Sequence, residues 1–172
     1  AEGMDEAEVL EIIDHHRINA LETDGPVYFR NVPVGCTCTI VCQMYQESGV
    51  EIDPSTAGLM LSAILSDTLM FTSPTCTPMD EYAARTLAKI AGVDLEEYAD
   101  AMFEAGGDVT GKTADEIFHG DYKIFTSRDV RFGVGQGSYM SHKNCGASQA
   151  LLKPYLETAL HKQGLDYIFY MF

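Results

Sequence analysis

Residues 10–17 read Leu-Glu-Ile-Ile-Asp-His-His-Arg, a short apolar strand that runs directly into Asp14-His15-His16. No other feature limits the possible folds of this chain as strongly. A buried strand that ends on a carboxylate and two imidazoles belongs in an open α/β sheet, where ligands bind outside the strand ends. Neighbouring side chains on an extended chain point to opposite faces. The two histidines therefore read as one for a metal ion and one for a substrate. A polar strand-end turn is the plain alternative, and the apolar run ahead of the triplet weighs against it.

Beyond this strand the first hundred residues read mainly as helix. Residues 26–30 form a second short strand by pattern, and residues 36–49 a helix stopped by Gly49. Asp53 before Pro54 is a helix start, and the apolar helix it opens ends near Asp67-Thr68. Ser73-Pro74-Thr75 breaks the pattern. A helix over about 79–90 starts from Thr77-Pro78, and another over about 95–104 starts from Asp94 and ends at Gly106-Gly107. Between Gly106 and Thr113 the composition turns to Gly, Asp, Thr and Lys, which marks a boundary. The expected organisation is a first domain over 1–106, a linker or hinge over 107–113, and a second domain over 114–172. The second domain carries paired strands at 122–125 and 130–135 around Ser127-Arg128-Asp129, a helix over about 147–163 and a strand at 167–172. Gly133-Val134-Gly135-Gln136-Gly137 lacks the ending of a P-loop, and no helix follows it directly, so it reads as glycine-rich strand and bulge. A chain that stops on an apolar strand exposes an edge prone to aggregation, and one strand at the front cannot make a sheet. Both ends are expected to be cuts in a larger protein.

Composition narrows the partners. A hydrophobic content of 46% with 22% charged residues is globular. The net charge of −15, from 26 acidic and 11 basic residues, repels phosphate backbones and argues against nucleic acid as partner. An acidic chain that handles an anionic substrate needs a local island of positive charge or bound cations; Arg30, Lys112 and Lys123 are candidates for the island. No run approaches the roughly 20 apolar residues of a membrane span, and no signal-peptide pattern opens the chain, so no membrane partner and a cytosolic location are expected. Five cysteines, an odd count, argue against a disulfide framework and read as small packing residues.

A carboxylate among the apolar neighbours of Asp67 is costly unless paired, capped or metal-bound. Together, His15 and Asp67 supply half of a mixed imidazole–carboxylate metal site, a donor set suited to manganese, cobalt, iron or zinc. Lys123, just beyond the expected hinge, could bring an ammonium to a phosphate oxygen. His119, His142 and His161 fall on turn or helix-surface positions and carry no assigned role. Ser55, Ser62 and Ser66 show no partner pattern for acyl chemistry.

Four stretches together resemble the family II, manganese-dependent inorganic pyrophosphatases of the DHH phosphoesterase superfamily. They are Ile12–Arg17, Pro33–Thr39, Leu61–Thr68 and Ser73–Thr77, followed by Ala91–Tyr98. Asp-His-His alone indicates the superfamily; Ser66-Asp67-Thr68 followed by Ser73-Pro74-Thr75-Cys76-Thr77 is narrower. The resemblance implies an α/β fold, with a parallel-sheet DHH domain followed by the start of a DHHA2-like domain. It implies His15 and Asp67 as metal ligands, His16 and Lys123 as catalytic and substrate-binding groups, and Asp14 as the supporting acid. It implies Mn2+ or Co2+ as cofactor, with Mg2+ accompanying a pyrophosphate substrate. It also implies two-metal hydrolysis to two phosphates, with domain closure about 106–113. The family's His-x-x-x-Asp-x-Asp strand and its C-terminal Ser-Arg-Lys-Lys-type clamp are not in these residues, so the chain resembles an internal piece and is expected to be inactive alone. A homodimer and inserted CBS domains in the parent are further implications. Rival readings are another DHH phosphoesterase, such as an exopolyphosphatase or a phosphodiesterase of short RNA or cyclic dinucleotides, and a non-catalytic module that has lost metal.

Overall fold

The computed structural model describes residues 7–18, 22–139 and 142–172. The chain divides into two compact units, Ala1–Ala99 and Asp100–Phe172. The division falls inside a helix, and residues 107–113 lie within the second unit.

The first unit opens with two parallel strands, β1 (Glu11–Asp14) and β2 (Tyr28–Asn31), in the register Glu11↔Tyr28 to Asp14↔Asn31. The sequence suggests a buried β1. Among the described residues, however, β1 has a single partner strand, and Ile12 and Ile13 are only half-buried. Three helices follow: α1 (Thr37–Ser48), α2 (Pro54–Thr68) and α3 (Pro78–Ala91). The expected start and stop signals operate as chemistry. Asp53 accepts from the Ser55 and Thr56 amides ahead of Pro54, and Gly49 closes α1 at φ 67°. On α2 the buried positions Ala57, Met60, Leu61, Ile64, Leu65 and Thr68 recur at three- and four-residue steps. They meet the matching stripe Asp80, Ala83, Ala84, Leu87 and Ala88 on α3. Burial of those apolar groups is what holds the helices together.

Three consecutive residues after α2, Leu69, Met70 and Phe71, have φ of 47°, 50° and 67°. Non-glycine residues in the left-handed region each cost about 1–2 kcal/mol. Thr68 holds this turn closed: its hydroxyl donates to the Ile64 carbonyl at 2.6 Å and accepts from the Phe71 amide at 3.3 Å, and its carbonyl accepts from the Ser73 amide at 2.9 Å.

Helix α4 (Leu95–Gly107) runs across the division, and Gly106-Gly107 are its last residues. The second unit continues with α5 (Ala114–His119), β3 (Tyr122–Ser127), β4 (Val130–Gln136), α6 (His142–Lys162) and β5 (Tyr167–Met171). Its sheet has the order β3-β4-β5, antiparallel at the first pair and parallel at the second, with α6 as the crossover. Helix α5 is absent from the sequence-based expectation, although Thr113 and Glu116 form a reciprocal capping box. The expected start of α6 at 147 is five residues late, and the side chain of His142 lies outside the described residues. Phe118 is fully buried among Ile117, Leu152, Tyr122, Tyr155 and Tyr170. The glycines of β4 belong to a regular ladder whose register shows no bulge. A Cβ at Gly133 would lie 2.6 Å from the Tyr122 hydroxyl, and one at Gly135 2.8 Å from the Tyr170 ring. They are glycines because tyrosines occupy the space. On the opposite face Phe125 stacks on Phe132, which meets Phe169 edge-on, and Phe125 and Phe169 are exposed. Among the described residues no helix is long and apolar enough to cross a membrane.

Candidate metal centre

The chain leaves the extended conformation immediately after Asp14, because that side chain folds back on its own backbone. Asp14 Oδ1 accepts from the His15 amide at 2.8 Å and from the His16 amide at 3.2 Å, an Asx-type turn. The histidines therefore do not diverge to opposite faces: their rings lie 4.1 Å apart, tilted by 55°. Asp14, His15 and His16 are the one cluster among the described residues whose donor atoms lie close enough to hold an ion.

Each imidazole is fixed through Nδ1. His15 Nδ1 is 3.0 Å from the Val34 carbonyl oxygen, which can only accept, so Nδ1 carries the proton and the lone pair is on Nε2. His16 Nδ1 is 2.8 Å from Asp14 Oδ1. That bond, then the His16 amide, hold the Asp14 carboxyl below the usual carboxylate range. Asn31, the last residue of β2, donates to the His16 carbonyl at 3.0 Å and ties the turn to its neighbouring strand. Among the described residues neither Nε2 has a hydrogen-bond partner. Imidazole nitrogen with carboxylate oxygen is a donor set that suits Mn2+ or Co2+; Asp67 is not one of the three residues of this cluster.

The segment between β2 and α1 carries the rest. Val34, Gly35 and Cys36 are buried. Cys36 is the N-cap of α1, its sulfur accepting from the Cys38 amide at 3.4 Å. A hydrogen bond shared with Cys38, burial and the adjacent Asp67 carboxylate push the Cys36 thiol upward, so it stays protonated. Asp67 is thus on the exposed side of the last turn of α2, against Cys36, two residues from the carbonyl that holds His15. The apolar neighbours that make Asp67 look costly in the sequence point to the other side of the helix.

A residue with no role in the sequence-based expectation anchors this segment. Asp80 is fully buried at the start of α3 and accepts four hydrogen bonds. Oδ2 takes the Gly35 amide at 2.8 Å, the Thr77 amide at 2.8 Å and the Thr77 hydroxyl at 2.7 Å; Oδ1 takes the Thr39 hydroxyl at 2.6 Å. Burial pushes its pKa up, and these donors together outweigh it and leave the carboxyl below its ordinary value. The Thr77-x-x-Asp80 capping box is the signal that could have found it.

The candidate cations separate. Arg30 is not free for a phosphate: both its terminal nitrogens reach Glu47, at 2.5 and 2.8 Å, and one also reaches Gln43 at 3.1 Å. Lys123 lies on β3 of the second unit opposite Val134, 72% exposed, its ammonium 3.7 Å from Asp121. Lys112 lines a pocket of ≈ 310 Å³ within the second unit. All five cysteines are free.

Comparison with known proteins agrees along the chain. Residues 1–64 match the model of the DHH family N-terminal domain, and residues 100–172 match the DHHA2 domain. A Bacillus mycoides protein named "Probable manganese-dependent inorganic pyrophosphatase" is 45% identical over 96% of this chain and 54% of its own. A Clostridium perfringens "Cobalt-dependent inorganic pyrophosphatase" is 44% identical over 96% of this chain and 30% of its own. A crystal structure of a Methanococcus jannaschii protein assigned to the family II inorganic pyrophosphatases superposes with a TM-score of 0.71 at 34% identity, over 98% of this chain and 58% of that one. The chain spans about half the length of the Bacillus relative and less of the Clostridium one.

Proposed function

We propose that this chain is part of a DHH–DHHA2 protein of the family II inorganic pyrophosphatases and serves the hydrolysis of pyrophosphate to two phosphates. The observation that carries this reading is the His15 geometry: Nδ1 is committed to the Val34 carbonyl, which leaves Nε2 as a preset metal donor. His15 and Asp67 would hold Mn2+ or Co2+, the metals in the names of its relatives. When bound, such an ion supplies Lewis acidity toward water and the phosphoryl oxygens near neutral pH. His16 donates its Nδ1–H to Asp14, so its Nε2 can take up a proton and, when protonated, donate to a phosphate oxygen. Asp14 holds that ring in place. Lys123 is the proposed source of an ammonium for phosphate charge that would otherwise repel the nucleophile.

The test is phosphate release from pyrophosphate with Mn2+, measured on the full reading frame that encodes these residues. His15→Ala and Asp67→Ala should each lower turnover by about a hundredfold or more. Wild-type turnover in both variants would remove the assignment.

A further inference from the structure

The peptide group joining Val34 to Gly35 has a different partner on each side. Its carbonyl oxygen accepts from His15 Nδ1 at 3.0 Å, and its N–H donates to Asp80 Oδ2 at 2.8 Å. One planar, conjugated amide therefore connects a buried anion to the imidazole of the metal site. We propose that Asp80 is a positioning residue for His15, holding the ring in its Nδ1–H tautomer and enriching Nε2 as a donor through the 34–35 peptide. The use of that donor for a metal rests on the proposed pyrophosphatase function; the relay itself does not.

The physical basis is polarisation. An anion on an amide N–H draws electron density toward the carbonyl oxygen of the same amide, and hydrogen bonds in series reinforce one another. The more negative Val34 oxygen pulls harder on the Nδ1 proton, which leaves the ring richer in electrons at Nε2. Carboxylates bonded directly to metal-ligating histidines act in this way; here one peptide is interposed. Asp80 has 0% exposure, the four bonds to its oxygens come from neutral donors, and among the described residues no cation forms an ion pair with it. Helix capping does not require this arrangement. A capping-box acid need only reach its own N-cap amide, which Oδ2 does at Thr77, yet the same oxygen also takes Gly35 from a segment 45 residues earlier. Glycine makes the approach possible: a Cβ at 35 would lie 3.0 Å from Asp80 Oδ2 and 2.8 Å from Thr68 Cγ2.

The experiment is nitrogen-15 NMR of the histidine rings in the metal-free chain, above the pH at which imidazole titrates. Asp80→Asn keeps an oxygen for the Gly35 and Thr77 donors, removes the charge, and places an NH2 from which the Thr39 hydroxyl can accept where Oδ1 stood. In that variant the His15 Nδ1 proton should move upfield and the Nε2–H tautomer gain population, and Mn2+ affinity of the full reading frame carrying the same substitution, measured by calorimetry, should fall about tenfold. A folded Asp80→Asn chain whose His15 proton and tautomer match wild type overturns the proposal. Thr77→Val removes one competing donor from Oδ2 but leaves the charge and the Gly35 bond, so the His15 proton should move downfield. An unchanged or upfield proton there overturns the proposal too, whether or not Asp80→Asn folds. If both protons shift as stated but the full reading frame binds no Mn2+, the relay stands and the metal reading falls.

Discussion

Replacing Asp80 by alanine takes one acceptor away from four donors, and their surroundings decide the cost. The Gly35 amide and the Thr39 hydroxyl are buried, so water cannot replace the lost partner. Each buried donor left without a partner costs about 1–3 kcal/mol. The two Thr77 groups are half-buried and lose less. Alanine also removes the need to bury an anion, which offsets part of the loss. The net expectation is about 3 kcal/mol, the low end of what breaking a buried charged network costs. For a unit of the size of Ala1–Ala99 that corresponds to a melting temperature lower by roughly 12–24 °C. The pH dependence has a definite sign. The folded carboxyl titrates below the ordinary aspartate value of 3.8, so its stabilisation is complete above that value and is lost as pH falls through the lowered one. The gap between wild type and Asp80→Ala should therefore be widest at neutral pH and close in strong acid. Calorimetric melting of both chains across pH measures it. A neutral-pH difference under about 4 °C, or a gap as wide in strong acid, refutes the reasoning.

Other substitutions separate local effects. Gly135→Ala forces a Cβ to within 2.8 Å of the Tyr170 ring and 3.0 Å of the Phe118 carbonyl; it should cost roughly 1–3 kcal/mol. Hydrogen exchange should quicken in the second unit and stay unchanged in α2 and α3. Glu47→Gln loses the ion pair to Arg30, and Glu47 is 61% exposed there. Its shift in urea midpoint should be small and vanish in about 1 M salt. Lys123→Ala, at a site 72% exposed, should leave the melting temperature within about 2 °C of wild type. In the full reading frame it should still lower pyrophosphate turnover at least tenfold, and equal turnover would take Lys123 out of the proposed mechanism.

What is legible in the sequence is what depends on near neighbours. The Asp53-Pro54 and Thr77-Pro78 starts and the Gly49 stop act over one helical turn, and the helices fall where these residues put them. Asp14-His15-His16 stands out because its members are adjacent. Its geometry is less legible: the opposite-face expectation assumes a strand that continues, whereas the Asp14 side chain turns the backbone. Asp80 escapes notice because its informative partners, Gly35 and Thr39, are 45 and 41 residues away, while its near partner Thr77 makes it look like an ordinary cap. Arg30 looks like a free cation for the same reason, since Glu47 is one helix further on. In β4 the tyrosines that exclude a side chain at 133 and 135 come from β3 and β5, so the glycine run alone suggests a bulge.

The turn over Leu69–Phe71 restricts which residues natural variation can install there. Valine, isoleucine or threonine would satisfy this partly exposed apolar surface equally well, yet branching at Cβ makes a positive φ harder still to reach. These three positions should therefore accept unbranched or aromatic side chains, glycine and asparagine. Any branched intruder would unseat Thr68, and with it the carboxylate one residue earlier.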